Sequence, residues 1–368
     1  MPSNSILTEA DRIMTICNAC RYCEGHCAVF PAMERRLAFT PTDLTFLANL
    51  CHNCGSCYHH CQYSEPHEFD VNVPAVFSQI RAETYREFAW PGFLAGLFDR
   101  NGLAAGIILV ASLILVTVLA ILLVNPDVLF AAQPGGNFYA VVPHKVMAYG
   151  FGSVGLFVVI SLVMSAAKFS RHLRPDPARN SPSAGLRPFA DILSMRNLKG
   201  GGDGCTYPDE TPSHARRWFH HLTFYGFALC FAATSIGTVY HYLFGWSAPY
   251  GWFSLPIISG SLGGIGLLIG PAGLLWLKMR ADPQVGDPKR FAMDSAFILL
   301  LGLTSLTGFL LLGLRETAAM GVLLIVHLGV VLGLFLTLPY GKFVHAVYRS
   351  VALFHEAREK GPNGGSGG

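Results

Sequence analysis

Cys17-Asn-Ala-Cys20-Arg-Tyr-Cys23-Glu-Gly-His-Cys27 and Cys51-His-Asn-Cys54-Gly-Ser-Cys57-Tyr-His-His-Cys61 are two copies of one pattern, set 34 residues apart. They use eight of the ten cysteines. Three thiolates spaced two residues apart wrap one cuboidal iron–sulfur centre, and the fourth reaches the neighbouring centre, as in two-cluster ferredoxins. The expectation is two [4Fe–4S] clusters, one on Cys17, Cys20, Cys23 and Cys61 and one on Cys51, Cys54, Cys57 and Cys27.

Competing chemistries fit less well. A structural zinc site wants two separated Cys/His pairs around one tetrahedron, whereas each copy here crowds four cysteines into eleven residues. A disulfide framework conflicts with the reducing compartment inferred below. No C-x-x-C-H motif occurs, so covalent c-type haem is not encoded. His26, His52, His59, His60 and His67 lie among the cysteines and can tune a cluster through hydrogen bonds to sulfur; for each singly, an exposed loop histidine is the simpler reading.

From about residue 101 the composition becomes that of a membrane protein, with runs long enough to meet the roughly 20 helical residues a bilayer requires. Six spans are expected at 102–124, 144–167, 220–243, 254–277, 294–314 and 317–341. The chain is 52% hydrophobic and only 13% charged, against about 25% charged in soluble domains. Nothing at residues 1–16 resembles a signal peptide, so export of the N-terminal domain by that route is not expected.

Loop charge gives the orientation. The 168–219 connection holds nine Lys and Arg, Arg174 and Arg179 among them, and 278–293 holds four, whereas 125–143 and 244–253 hold none. The positive-inside rule then puts both termini, the cysteine domain and both basic loops in the cytoplasm, in a bacterial inner membrane. The net charge of +3 reflects this topology and not a nucleic-acid partner.

The expected fold class is all-α. Residues 1–92 form a helical, ferredoxin-like domain for two [4Fe–4S] centres, since no strand alternation flanks the motifs. A six-helix transmembrane b-type cytochrome bundle follows, with helices one and two in 93–167, a Gly/Pro-rich basic loop over 168–219 and helices three to six in 220–355. Helix starts are expected at Thr8–Asp11, at Thr42-Asp43 and at Pro74, the last opening an amphipathic segment with Val76, Phe77 and Ile80 inward and Arg81, Glu83 and Arg86 wet. Phe88-Ala-Trp90-Pro91-Gly-Phe93 suits an interfacial anchor. The Lys199-Gly-Gly-Gly-Asp203-Gly-Cys205 run lacks a nucleotide fingerprint and is read as a flexible loop with an unligated Cys205. Cys230 reads as a small apolar residue of the third span. Gly260, Gly264, Gly266 and Gly270 give span four a small-residue face, and Pro271 is expected to kink it. Residues 361–368 have the look of an expression-linker scar.

Ionisable groups inside a bilayer are costly and mark function. His327 and His345 stand 18 residues apart on the sixth span, so they are expected to face the same way about 27 Å apart, and His220 and His241 on the third about 60° off alignment and about 31 Å apart. Antiparallel helices then match His220 or His221 with His345 at the inner end and His241 with His327 at the outer. Paired imidazoles from facing helices hold b haem, so one or two b haems are expected, with His144 left as a packing residue.

The paired cysteine motifs, Gly-Gly-Gly-Asp-Gly-Cys205-Thr-Tyr-Pro, Arg216-Arg-Trp-Phe-His220-His221 and Leu338-Pro-Tyr-Gly-Lys342-Phe-Val-His345 together resemble the tricarballylate-utilisation protein B family, also called citrate-utilisation protein B, over essentially residues 10–355. The resemblance implies an electron carrier with two [4Fe–4S] clusters and b haem. Its implied partner is FAD-containing tricarballylate dehydrogenase, whose reduced flavin it reoxidises as that enzyme forms cis-aconitate. More distantly, Phe-Val-His345 is similar to the haem-ligating helix of the nitrate reductase gamma subunit. The chain has no flavin or nicotinamide fingerprint, so it is expected to be an oxidoreductase component delivering electrons to membrane quinone and not a stand-alone dehydrogenase. Other readings are the electron-transfer subunit of a different organic-acid dehydrogenase or reductase, a membrane redox sensor, which would need an output domain, and a transporter, which would want an inverted repeat and intramembrane carboxylates.

Overall fold

In lipid, a lone apolar segment satisfies its backbone polar groups only as a helix, and the apolar runs are helical in the computed structural model, which describes residues 4–173 and 185–360. Arg174, Arg179 and the stretch 361–368 lie outside the described residues. Five short helices carry the cysteine region: α1 (Asn4–Cys20), α2 (Val29–Glu34), α3 (Pro41–Leu50), α4 (Ser56–His59) and α5 (Val73–Phe88). Then come α6 (Asn101–Leu123), a single turn α7 (Pro126–Leu129), α8 (His144–His172), α9 (Arg187–Ser194), α10 (Ala215–Phe244), α11 (Leu255–Arg280), α12 (Phe291–Gly313), α13 (Met320–Thr337) and α14 (Val344–Lys360). Six segments are long and apolar enough to cross a membrane, which makes this a multi-pass membrane protein. β-structure among the described residues is one two-residue pair, β1 (Cys205–Thr206) antiparallel to β2 (Pro212–Ser213).

Local chemistry sets the short helices, with some shifts from expectation. Helix α3 starts at a reciprocal capping box: the Asp43 amide donates to the Thr40 hydroxyl at 3.2 Å and the Thr40 amide to the Asp43 carboxylate at 3.0 Å, two residues before the Thr42 start. Thr8 lies inside α1 and donates to the Asn4 carbonyl, so no helix begins there. Asn72 caps α5 ahead of Pro74. Phe77 and Ile80 are buried as the amphipathic pattern requires, but so is Arg81, which faces inward to backbone carbonyls.

The sixth span is not one helix. Helix α13 ends at Thr337, Leu338–Tyr340 forms a single 3-10 turn and Gly341 is extended. Pro339 has no amide to continue the ladder, and a side chain at Gly341 would stand 2.9 Å from the Thr337 carbonyl. Asn101 of α6 donates to the Tyr340 carbonyl, and the Tyr340 hydroxyl donates to the Trp90 carbonyl at 3.1 Å. The common face expected for His327 and His345 on a continuous helix is therefore lost.

Beyond this break α14 joins the cysteine region. One core combines Ile13, Met33, Leu47 and Phe77 with Phe169 of α8 and Val344, Tyr348 and Ala352 of α14. Tyr348 stacks on Tyr85 at 5.3 Å and meets Phe169 edge-on at 5.2 Å. Glu359 near the end of α14 pairs with Arg36 at 2.7 Å, and Arg36 also pairs with Asp43 at 2.5 Å. The cysteine region and the bundle thus share a core across residue 92. The 185–214 stretch is likewise built, through α9, β1 and β2, and not a structureless loop.

Glycine decides the approach of α10 and α11. A side chain at Gly263 would stand 2.7 Å from the Gly226 carbonyl, one at Gly266 2.7 Å from the Leu222 carbonyl, and one at Gly270 2.5 Å from the Thr223 hydroxyl. Gly264 turns the other way, to Phe309 and Ser305 of α12, and α11 continues through Pro271. Without a hydrophobic drive between helices in lipid, such close packing carries the association. Gly266→Leu should lower the melting temperature in detergent by an overpacking cost of about 1–3 kcal/mol. Gly302→Leu, whose added atom meets nothing within 4 Å, should leave it unchanged.

Candidate metal centres

The eight motif thiols gather into two crossed groups. The near neighbours of Cys17 are Cys23, Cys61 and Cys20. Cys27, Cys51, Cys54 and Cys57 line one small cavity together with His26 and His52. The groups ring a volume and do not close on one point: among the described residues, no three Cys, His, Asp or Glu side chains stand as ligands of a single ion.

Backbone amides point at the sulfurs. The amides of Asn53 and Tyr63 donate to Cys51 and Cys61 at 3.4 Å, and those of Val29 and Ser56 serve Cys27 and Cys54, each two residues after its cysteine. Hydrogen bonds to cluster sulfurs are one determinant of potential. Burial, then neighbouring thiols, push Cys17 and Cys23 up to about 12, and the same causes hold Cys27 and Cys57 well above the usual thiol range. Thiols crowded this way ionise when a bound cation compensates them. A polynuclear iron centre in each group fits that donor set.

Around the second group stand residues from outside the two motifs. Cys205, fully buried at 0% exposure, packs with Cys54, Met195 and Leu198. Its thiol donates toward the Leu198 carbonyl at 3.4 Å and shares a hydrogen bond with Cys54 that holds the Cys54 thiol down and the Cys205 thiol up. The glycine run makes this approach: Gly200, Gly201, Gly202 and Gly204 all have positive φ, and a side chain at Gly55 would stand 2.4 Å from the Thr206 carbonyl. The run is a clasp over Cys54, where a flexible loop was expected.

Three arginines grip the Cys51–Asn53 loop. Arg216 donates to the Asn53 carbonyl at 2.6 Å and the His52 carbonyl at 2.9 Å, and Arg349 to the Cys51 carbonyl at 2.7 Å. Arg81 reaches the Ala48 carbonyl at 3.1 Å, the Cys51 carbonyl at 3.3 Å and the Asn53 side chain at 2.9 Å. Arg216 sits one turn before His220 on α10 and Arg349 one turn after His345 on α14, a symmetry visible in sequence as Arg-x3-His and His-x3-Arg. His52, beside them, is kept neutral by burial and by Arg349 and Arg216, and its Nδ1 has no partner. His26 Nε2 and His59 Nε2 are also buried without partners, while His60 meets His26 edge-on at 5.5 Å and the Phe69 amide donates to His67.

Among the histidines of the spans, His220 and His345 meet edge-on, with ring planes 75° apart. The rings of His220 and His345 are 6.0 Å apart, centre to centre. His345 Nδ1 donates to the Lys342 carbonyl at 2.5 Å, which leaves Nε2 free, and His220 Nδ1 is buried without a partner. A ring nitrogen fixed by a carbonyl on its far side is the usual preparation of a metal-binding imidazole, so this pair fits axial ligation of b haem. His221 turns instead to Tyr225, 5.8 Å away, and to the carbonyls of α9.

The outer match expected between His241 and His327 is not formed. His241 stacks on His144 at 3.7 Å with planes 18° apart, too close and too parallel to admit iron between ring nitrogens. His327 shares a hydrogen bond with the Thr307 hydroxyl at 2.9 Å and lies against Gly308. The break after α13 separates the phase of His327 from that of His345. These outer residues do not fit a second haem, and His144, read as packing alone, has the ring partner.

Crossed thiol groups give a direct test. Cys61→Ala should remove the centre that belongs to the first motif and spare the one that belongs to the second, in iron analysis and EPR; loss of the second-motif centre alone would reverse the assignment.

Comparison with known proteins covers both halves of the chain. The family model described as citrate utilization protein B matches residues 99–365, and that of the citrate utilization protein B Fer4-like domain matches residues 10–87. Citrate utilization protein B of Escherichia coli is 49% identical over 353 residues, 96% of this chain and 92% of its own length. No solved structure matches the chain. With one match on the cysteine helices and the other on the histidine helices, the chain belongs to the citrate utilization protein B family.

Proposed function

We propose that the protein is a membrane electron carrier which reoxidises the reduced flavin of a separate organic-acid dehydrogenase and passes the electrons to quinone. The observation that carries this reading is the stacking of sites: two thiol groups in the capping region, the second held by arginines on the same two helices that present His220 and His345. Bound [4Fe–4S] clusters and b haem supply one-electron steps between a two-electron flavin and a two-electron quinone.

The chain's own residues hold and orient. Each thiol group anchors one cluster, and amides two residues downstream steady the sulfurs. The Lys342 carbonyl fixes the tautomer of His345. The partner docks on the cytoplasmic face formed by the cysteine region and 185–214, where Tyr22, Leu37, Leu186 and Phe189 are exposed. The relative named for citrate utilization, and the resemblance to the tricarballylate system, favour a tricarboxylic acid such as tricarballylate as the partner's substrate.

Purified protein should contain one b haem per chain. His220→Ala and His345→Ala should each abolish the reduced-minus-oxidised haem spectrum, whereas His221→Ala and His241→Ala should keep it. Two haems per chain, with one lost in His241→Ala, would restore an outer site.

Alone in detergent, with tricarballylate and a quinone analogue, the protein should be inert. With the reduced flavoprotein added, it should oxidise flavin and reduce quinone, and Cys17→Ala or Cys54→Ala should slow flavin oxidation. Unaided oxidation of the acid, or full-rate flavin oxidation by a cluster-free variant, would exclude the carrier role.

A further inference from the structure

The two thiol groups sit in unlike electrostatic surroundings. Arg81, Arg216 and Arg349 all aim guanidinium groups at the Cys51–Asn53 backbone. An arginine stays protonated in any protein setting, and among the described residues none of these three meets a carboxylate; their bonds go to carbonyls and one amide oxygen. Arg349 Nε is buried with no partner at all. Near the first motif the balance differs: Arg36 is neutralised by Asp43 and Glu359, and Glu24 and Glu34 add negative charge beside Arg21.

Reduction adds an electron to a cluster that is already anionic with its four thiolates. Nearby uncompensated cations and hydrogen-bond donors to sulfur stabilise that extra charge, and net charge and sulfur hydrogen bonds are among the determinants of cluster potential. Cys205 packs its buried thiol beside Cys54, placed there by the clasp of positive-φ glycines and the contact of Gly55 with Thr206, and its one S–H, directed at the Leu198 carbonyl, is within reach of the Cys54 sulfur once that sulfur is a thiolate.

We propose that Arg81, Arg216, Arg349 and Cys205 make the second-motif centre the higher-potential one of the two, so that electrons settle on the side facing His220 and His345. They act through the loop and the Cys54 sulfur and are positioning residues. The assignment rests on the reading of the motifs as cluster sites, and its order is downhill: the first-motif centre, half-exposed around Cys20 and Tyr22, takes electrons from the partner.

The test is an EPR-monitored redox titration of the full-length protein in detergent, with Cys61→Ala used to tell which signal belongs to the first motif. Two midpoints are expected, the higher belonging to the second motif. Arg349→Met should shift only that midpoint downward, Arg349→Lys should restore most of the shift, and Cys205→Ala should lower the same midpoint with iron content unchanged. If Arg349→Met fails to assemble, Arg349→Lys and Cys205→Ala decide. Equal midpoints, a higher first-motif midpoint, or no shift in Cys205→Ala with iron retained would overturn the proposal. Loss of the second centre in Cys205→Ala would also overturn it, by making Cys205 a ligand. Wild-type protein without an iron–sulfur signal would instead overturn the cluster reading beneath it.

Discussion

Burying a guanidinium is costly unless every donor finds an acceptor. Arg81, Arg216 and Arg349 meet most of that demand on one short loop, Cys51–Asn53, with Arg349 Nε left unpartnered, and so bring α5, α10 and α14 to a single point. The positive φ of Asn53 turns the loop outward to receive them. Remove that contact and little polar structure ties the second cysteine motif to the two histidine helices, since the shared core around Tyr348 and Phe169 is apolar and directionless.

Placement at the inner end depends also on the discontinuity at Leu338–Gly341. A straight sixth helix would carry α14 along the axis of α13; the break lets it pack against the cysteine helices while α13 stays against α6, where Gly329 and Gly333 admit Leu113 and Leu109. Asp294 holds the same corner from α12, reaching Lys278 at 2.7 Å and Lys342 at 2.8 Å. One carboxylate between two lysines links α11, α12 and the chain just before His345.

What sequence makes legible here is what is covalently local. Cysteine spacing within eleven residues announces an iron–sulfur domain, and unbroken apolar runs announce the spans, because neither depends on distant partners. The proximity of His220 and His345 followed from matched depth, which topology alone supplies. The failures came where helical phase had to be carried through a breaker. Pro339 and Gly341 were in plain sight, yet extending one helix across them put His327 on the wrong face and hid the His144–His241 stack. The contact of Cys205 and the glycine clasp with Cys54 was not legible for another reason: Cys54 is 151 positions away from Cys205, and no periodicity points to it.

The inner position of the His220–His345 pair bears on membrane voltage. His220 lies five residues into α10, about 8 Å along its axis, and its partners all stand on the same side. Moving one charge through the whole field of a 100 mV membrane involves about 2.3 kcal/mol. An electron that enters and leaves at one end samples only a small part of that field. Charge held at this pair is therefore nearly blind to membrane potential, and its arrival from the cysteine side by itself adds almost nothing to a gradient.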